Sequence, residues 1–258
     1  MDLHTILDKF ASGMISLDEA KKQISVHAVE KIEDIAKLDI GREVRRGVPE
    51  IIFAENKEQC DIIRIATAAA KRNRQVVVSR VRKNELPQIV EELQNKGLIV
   101  EKGKNSTTLL AFETPFTNNN DTDAKIGIMA AGTSDIGVAE EARLVAKAMS
   151  CEAIVSYDVG IAGMHRLFPA LKEMLAQNVG AIVVVAGMEG ALASVVASMA
   201  DVPIVGVPTS IGYGFGGNGV AALASMLQSC TLGLAVVNID NGIGAGAYAA
   251  SIAKRMRR

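Results

Sequence analysis

An α/β fold, with a doubly wound parallel sheet preceded by a smaller mixed α/β domain, is predicted by three observations. The 258-residue chain changes composition midway. Lys, Arg, Asp and Glu number 40 in residues 1–125 but 17 in residues 126–258, while Gly rises from 5 to 18. Beyond residue 125, short apolar runs alternate five times with stretches of helical periodicity. Those runs are rich in Val, Ile and Ala and lack polar alternation, so both faces of their strands must be covered, as in a parallel sheet between helix layers. The divide assigns residues 1–120 to the small domain and 121–258 to the larger one.

Along the first domain, helical spacing runs over residues 3–12, 16–36 and 57–72. The apolar runs "PEIIFA" and "QVVVS" read as strands, and "LPQIVEELQNKG" as a helix closed by Gly97. The polar segment "TPFTNNNDTDA" (114–124) has no hydrophobic period and reads as a linker or exposed loop. The second domain then runs strand "KIGIMAAG", helix "IGVAEEARLVAKAM", strand "EAIVSYD", helix "LFPALKEMLAQ", strand "GAIVVVAG" and helix "ALASVVASMA". Strand "PIVGVP", helix "GVAALASMLQ", strand "LGLAVVNI" and helix "AGAYAASIAKRM" complete it.

Composition excludes several classes. The formal net charge is −1 and no unopposed basic run precedes the terminal "KRMRR", so a nucleic-acid partner has little support. Those last cations suit the C-terminal end of a helix dipole. No apolar run approaches the roughly 18 residues that span a membrane. The opening "MDLHTILDKFASG" intersperses charges at helical spacing and has no signal-peptide core. Cys60, Cys151 and Cys230 are far apart and odd in number, which argues against a disulfide framework and for a reducing, cytoplasmic setting.

In an open parallel sheet, ligands gather beyond the carboxyl ends of the strands. The loops there are "AGTSD" (131–135), "YDVGIAGMHR" (157–166), "AGMEG" (186–190), "PTSIGYGFGGNG" (208–219) and "DNGIGAG" (240–246). Glycines let backbone N–H groups approach an anion, and a following helix adds positive potential. Ser134 and Asp135 suit either such a site or a helix cap. His165 and Arg166 form the one His-Arg pair in these loops, fit to hold a carboxylate or phosphate. Glu189 is the sole acid of its loop, either a carboxylate on the helix dipole or a base among apolar neighbours. Cys230, between a helix and a strand in "QSCTLG", is by residue type as well suited to packing as to chemistry.

Taken in order, "AGTSD", "GMHR", "AGMEGALASVVASMADVPIVGVP" and "GAGAYAASIA" resemble the phosphoribosyl-aminoimidazole carboxylases of purine synthesis, whose fold is flavodoxin-like. They resemble the LarB family more closely. That family begins assembly of the nickel-pincer nucleotide cofactor, and "LDIGREVRRGVPEIIFAENK" in the first domain resembles it too. The LarB resemblance implies carboxylation of the pyridinium ring of nicotinic acid adenine dinucleotide by CO₂ at position 5. It also implies hydrolysis of the phosphoanhydride, releasing AMP and pyridinium-3,5-biscarboxylic acid mononucleotide. On that resemblance Cys230 is the nucleophile and Glu189 its base. Ser134 and Asp135 hold ribose and phosphate, and Asp158, His165 and Arg166 orient the carboxylate or CO₂. Gly187, Met188 and Asn218 line the substrate. No tightly bound cofactor is implied. Mg²⁺ is a candidate for the phosphoanhydride step without an identifiable ligand set, and no Cys/His cluster suits nickel. A homo-octamer is also implied. "GREVRRG" reads as an anion-binding surface or as solvated charge, and Cys60 and Cys151 read as packing residues. Two alternatives stand beside this reading: carboxylation of aminoimidazole ribonucleotide, and a nucleotide-binding module that turns nothing over.

Overall fold

The computed structural model describes residues 3–26, 28–32, 34–114 and 123–257. The chain divides into two compact units, Met1–Glu101 with Leu110–Pro115, and Lys102–Leu109 with Phe116–Arg258. The predicted boundary at 120 put Lys102–Leu109 in the first domain. By compactness these residues group with the second unit, and the Lys104 N–H donates to Glu140 there. The expected linker at 114–124 falls largely on 115–122, outside the described residues.

The first unit opens with helices α1 (Leu3–Ala11) and α2 (Leu17–Ser25). Ser16 caps α2, its hydroxyl accepting from the Glu19 N–H at 3.2 Å while the Glu19 carboxylate accepts from the Ser16 N–H at 3.1 Å. The single helix expected over 16–36 is corrected. α2 stops at Ser25, and β1 (Val29–Ile32) pairs antiparallel with β2 (Ala36–Asp39). The competing signal was in the sequence: Ala36, Leu38 and Ile40 alternate with Lys37 and Asp39, a period of two rather than 3.6. Then come α3 (Arg42–Arg46), β3 (Ile51–Phe53), α4 (Gln59–Asn73), β4 (Gln75–Ser79) and α5 (Leu86–Asn95), with Gly97 at φ +84° just beyond it. β5 (Ile99–Lys102) and β6 (Leu109–Phe112), neither predicted, complete a four-stranded sheet in the order β3-β4-β6-β5. The arginines of α3 are not simply solvated. Arg45 donates to Asp39 at 2.5 Å and to the Ser25 carbonyl at 3.1 Å, and Arg42 lies 3.5 Å from Glu50. Cys60, read as a packing residue, is exposed in the first turn of α4.

The second unit follows the predicted alternation: β7 (Lys125–Ala130), α6 (Ile136–Ala148), β8 (Glu152–Ser156), α7 (Leu167–Ala176), β9 (Ile182–Ala186) and α8 (Ala191–Met199). β10 (Ile204–Pro208), α9 (Val220–Leu227), β11 (Leu234–Val236) and α10 (Gly242–Met256) close it. The sheet order is β11-β10-β9-β7-β8 and every neighbouring pair is parallel. This is the doubly wound, flavodoxin-like arrangement. β9 and β10 are buried along their whole length, as continuous apolar strands require. β8 and β11 are edge strands and stay partly exposed, so cover on both faces does not extend to them. α10 lies close against α6 because its contact residues are glycines. A Cβ on Gly246 would stand 2.5 Å from the Ala142 carbonyl oxygen. The core joins Met129, Val184, Leu167, Met174, Leu192 and Val196 between sheet and helices.

Candidate active site

After β7 the chain turns to β8 on one side of the sheet, and β9 then forms on the other side of β7. The carboxyl ends of β7 and β9 therefore flank the point where strand order reverses, which is where this architecture opens a crevice. A cavity of about 400 Å³ lies there. It is lined from the loops after four strands: residues 131–135, 158, 160–162, 186–189, 191–192 and Ile211. A larger hollow of about 590 Å³ lies at the amino edge of the sheet among Lys125, Gly180, Asp201 and Met256. The helix N-termini point away from that edge, so it lacks the positive potential and convergent loops of the carboxyl edge.

Buried polar contacts and close backbone approach hold the cavity loops. Asp135 is 4 % exposed. Its Oδ2 accepts from the Gly132 N–H at 2.9 Å, and its Oδ1 accepts from the Thr209 hydroxyl at 2.7 Å, tying the loop after β7 to the end of β10. Burial pushes this carboxyl above its ordinary value, against the lowering effect of those bonds. Gly187 has no room for a side chain, since a Cβ would meet the Ile211 carbonyl oxygen at 2.4 Å and the Thr209 hydroxyl at 2.6 Å. The same carbonyl accepts from the Met188 N–H at 2.7 Å. Asp158, Met188, Asn218 and Asp240 each adopt positive φ, one in each loop after β8 to β11. Asn and Asp tolerate this conformation in tight turns, and three of the four are Asn or Asp. Asp240 is fastened in turn, its Oδ1 accepting from the Ser210 N–H at 2.8 Å.

Of the predicted site residues, Ser134, Asp135, Asp158, Gly187, Met188 and Glu189 line this one cavity. Asp135 lines the cavity with both carboxyl oxygens engaged within the protein, by the Gly132 N–H and the Thr209 hydroxyl. Asp158 is half-exposed and paired with Arg166. Arg166 lines a neighbouring hollow of about 470 Å³ that shares Asp158 with the cavity. His165, Asn218 and Cys230 are exposed and stand outside the cavity lining. Cys230 sits between α9 and β11, and its neighbours are clamped to α8. The Ser194 hydroxyl donates to Ser229 Oγ at 2.8 Å, and Thr231 Oγ1 donates to the Ser194 carbonyl at 3.4 Å. Ser194 stands about one turn into the helix that follows the Glu189 loop.

Sequence reasoning missed Thr209 and Ile211, and also a cluster beside the cavity. Glu140, on α6, accepts from Arg143 at 2.6 and 2.9 Å, from the Tyr157 hydroxyl, and from the Lys104 N–H at 2.9 Å. Burial pushes its carboxyl up, and these donors outweigh burial and hold it below the ordinary range. Burial and the bond to Glu140 both raise the Tyr157 hydroxyl. The pair "EE" inside the apolar helix "IGVAEEARLVAKAM" was the available signal, since buried carboxylates require partners. Among the described residues no group of three or more His, Cys, Asp or Glu is placed to hold a metal ion. Nor is any helix long and apolar enough to cross a membrane.

Two family models match the chain. Residues 29–110 match the model of the LarB/PurE-like N-terminal domain, and residues 125–257 match the AIR carboxylase model. A protein of Methanocaldococcus jannaschii, described only as uncharacterized, is 45% identical over 260 residues, spanning 100% of this chain and 99% of its own.

Proposed function

The chain belongs to the LarB family, with an AIR carboxylase domain as its C-terminal half, and from that premise we propose that it carboxylates the pyridinium ring of nicotinic acid adenine dinucleotide and hydrolyses the phosphoanhydride. A carboxylase-family function follows from the family itself. The choice of substrate rests on the thiol. A cationic ring does not attack CO₂. When the Cys230 thiolate adds to the ring carbon beside position 5, with the thiol proton passing to Glu189, the ring becomes a neutral enamine. Its position 5 then forms the new bond to carbon dioxide. Loss of the proton at that carbon and departure of the thiolate restore the aromatic pyridinium and the free enzyme. Water cleaves the phosphoanhydride to release AMP and the biscarboxylated mononucleotide. Among the described residues no group of three or more His, Cys, Asp or Glu stands placed to hold Mg²⁺, and no step is routed through it.

The observation carrying this reading is that Cys230 is exposed and Glu189 lines the cavity. Cys230 stands outside that lining, on the helix-to-strand segment before β11, so in this reading the thiol reaches the ring within the assembled homo-oligomer. Cys151, by contrast, is buried and its thiol is pushed up to about 12 by burial, whereas Cys60 is exposed as Cys230 is. Homo-oligomeric assembly, an octamer by resemblance, is part of the proposal. Tyr213, Phe215, Val220, Leu227 and Leu232 are exposed around the α9 region, on the same stretch of chain as Cys230.

The test is incubation with nicotinic acid adenine dinucleotide and bicarbonate, with and without Mg²⁺, and mass spectrometry for AMP and the doubly carboxylated mononucleotide. Cys230→Ser is expected to reduce product to background, and Glu189→Gln to slow turnover by about a hundredfold or more. Absence of AMP from wild type removes the reading. Carboxylation of aminoimidazole ribonucleotide that survives Cys230→Ser would assign the purine reaction instead. Ligand-dependent thermal stabilisation without product would mark a binding module. Light scattering of the intact protein tests the octamer.

A further inference from the structure

We propose that Lys104 is a phosphate-binding residue that selects a dinucleotide over a mononucleotide at this site, an inference that rests on the substrate reading above. Lys104 comes from the turn between β5 and β6, within the segment Lys102–Leu109 that belongs to the second unit. That turn is built against the first turns of α6, the helix whose N-terminal approach (132–135) lines the cavity. The Asn105 carbonyl oxygen comes so near Gly137 that a Cβ there would stand at 2.5 Å. The Lys104 N–H donates to Glu140 at 2.9 Å, and a Cβ on Gly103 would meet Ser106 at 2.8 Å and Glu140 at 3.1 Å. The backbone that presents this lysine is therefore fixed.

Its ammonium lies 5.5 Å from the centroid of the Tyr157 ring, at the carboxyl end of β8 and one residue before Asp158. Asp158 is the wall shared by the cavity and the adjoining hollow. The acid that holds the lysine's backbone is already engaged elsewhere. Glu140 is buried, and its oxygens are engaged by Arg143, by Tyr157 and by the lysine's own amide. Of the other acids lining the hollow, Asp158 is held by Arg166, and Glu173 is on α7. Among the described residues the Lys104 ammonium forms no salt bridge, and the residue is exposed. An uncompensated cation on an anchored loop, above the Tyr157 ring that walls the adjoining hollow, favours an anion there. A dinucleotide brings two phosphates. The turn at Ser134 before α6 has backbone donors suited to one. The long flexible stem of Lys104 reaches over Tyr157 to a second, on the side of the adjoining hollow.

Calorimetric titration of wild type, Lys104→Ala and Lys104→Arg with nicotinic acid adenine dinucleotide and with nicotinic acid mononucleotide tests this. Lys104→Ala is expected to weaken the dinucleotide about tenfold, the loss of one charge-assisted contact, and to leave the mononucleotide unchanged. Lys104→Arg should recover most of the affinity. Thermal melts check the fold, which should persist because the amide bond to Glu140 is independent of the side chain. Equal dinucleotide affinity in wild type and Lys104→Ala, or equal losses for both ligands, overturns the proposal. If wild type binds the dinucleotide yet makes no AMP, the proposed reaction fails and the binding comparison still decides on Lys104. If wild type does not bind the nicotinate dinucleotide, ADP serves as the probe. A tenfold loss in Lys104→Ala then keeps the phosphate role, and unchanged or absent ADP binding ends it.

Discussion

Substituting Gly187 by alanine tests whether close backbone approach builds the cavity. The new methyl group would lie 2.4 Å from the Ile211 carbonyl oxygen, 2.6 Å from the Thr209 hydroxyl and 2.9 Å from the Ile211 Cβ. Two of these are atoms that cannot swing aside, so the segment after β10 must retreat by about 1 Å to reach ordinary contact. That retreat stretches the 2.7 Å bond from the Met188 N–H to the same carbonyl. It also loosens Thr209 from Asp135. Overpacking of this kind costs about 1–3 kcal/mol, and one weakened hydrogen bond adds about 1 kcal/mol. At about 2–4 °C per kcal/mol for a unit of this size, the second unit should melt about 4–16 °C lower. Differential scanning calorimetry reads this directly, with Gly217→Ala as the control. There a Cβ meets only the Gly214 carbonyl oxygen, at 3.5 Å. Turnover in Gly187→Ala should fall together with stability, because Ile211 and Met188 are both cavity walls. Melting within about 1 °C of wild type, with unchanged turnover, would show that the contact between these loops does not hold the site.

Asp135 carries a pH signature. Burial holds its native carboxyl above the ordinary value of 3.8, so the folded protein binds this proton more tightly than the unfolded chain. Its contribution to stability is full below about pH 4 and is lost as pH rises through the native value. Urea midpoints of wild type minus Asp135→Asn should therefore decrease from pH 4 toward neutrality, and a difference that grows with pH would contradict the burial argument. Thiol accessibility gives a further check. In a disulfide-exchange reagent at mild alkaline pH, Cys60 and Cys230 should react at once, while Cys151, buried with its thiol raised to about 12, should wait for unfolding. Immediate labelling of all three cysteines would place Cys151 at the surface.

Strands β7, β9 and β10 were legible because residues covered on both faces must be apolar throughout, and helices α6 to α10 because one face of each meets the sheet. The five loops at the carboxyl edge were legible for the same reason: once strands alternate with helices, connectivity alone assigns each loop to an edge. The first unit resisted this reading. Its strands are short, and "HAVEKIEDIAKLDI" carries a two-residue period over a stretch that also satisfies a helical one. Cys60 escaped for another reason, since residue type says little about exposure at a helix N-terminus.

Local pattern and residue type alone thus determined the fold of the second unit, its ligand edge and the family to which the motifs belong. Tertiary structure alone decided that Asp135 faces Thr209 across the sheet, that Gly187 yields its space to Ile211, and that Lys104 arrives from the distant β5–β6 turn beside Tyr157. These pairs are separated by tens of residues, and the distances between them depend on strand order and on how closely helices seat. Neither quantity is carried by the periodicity of any one segment.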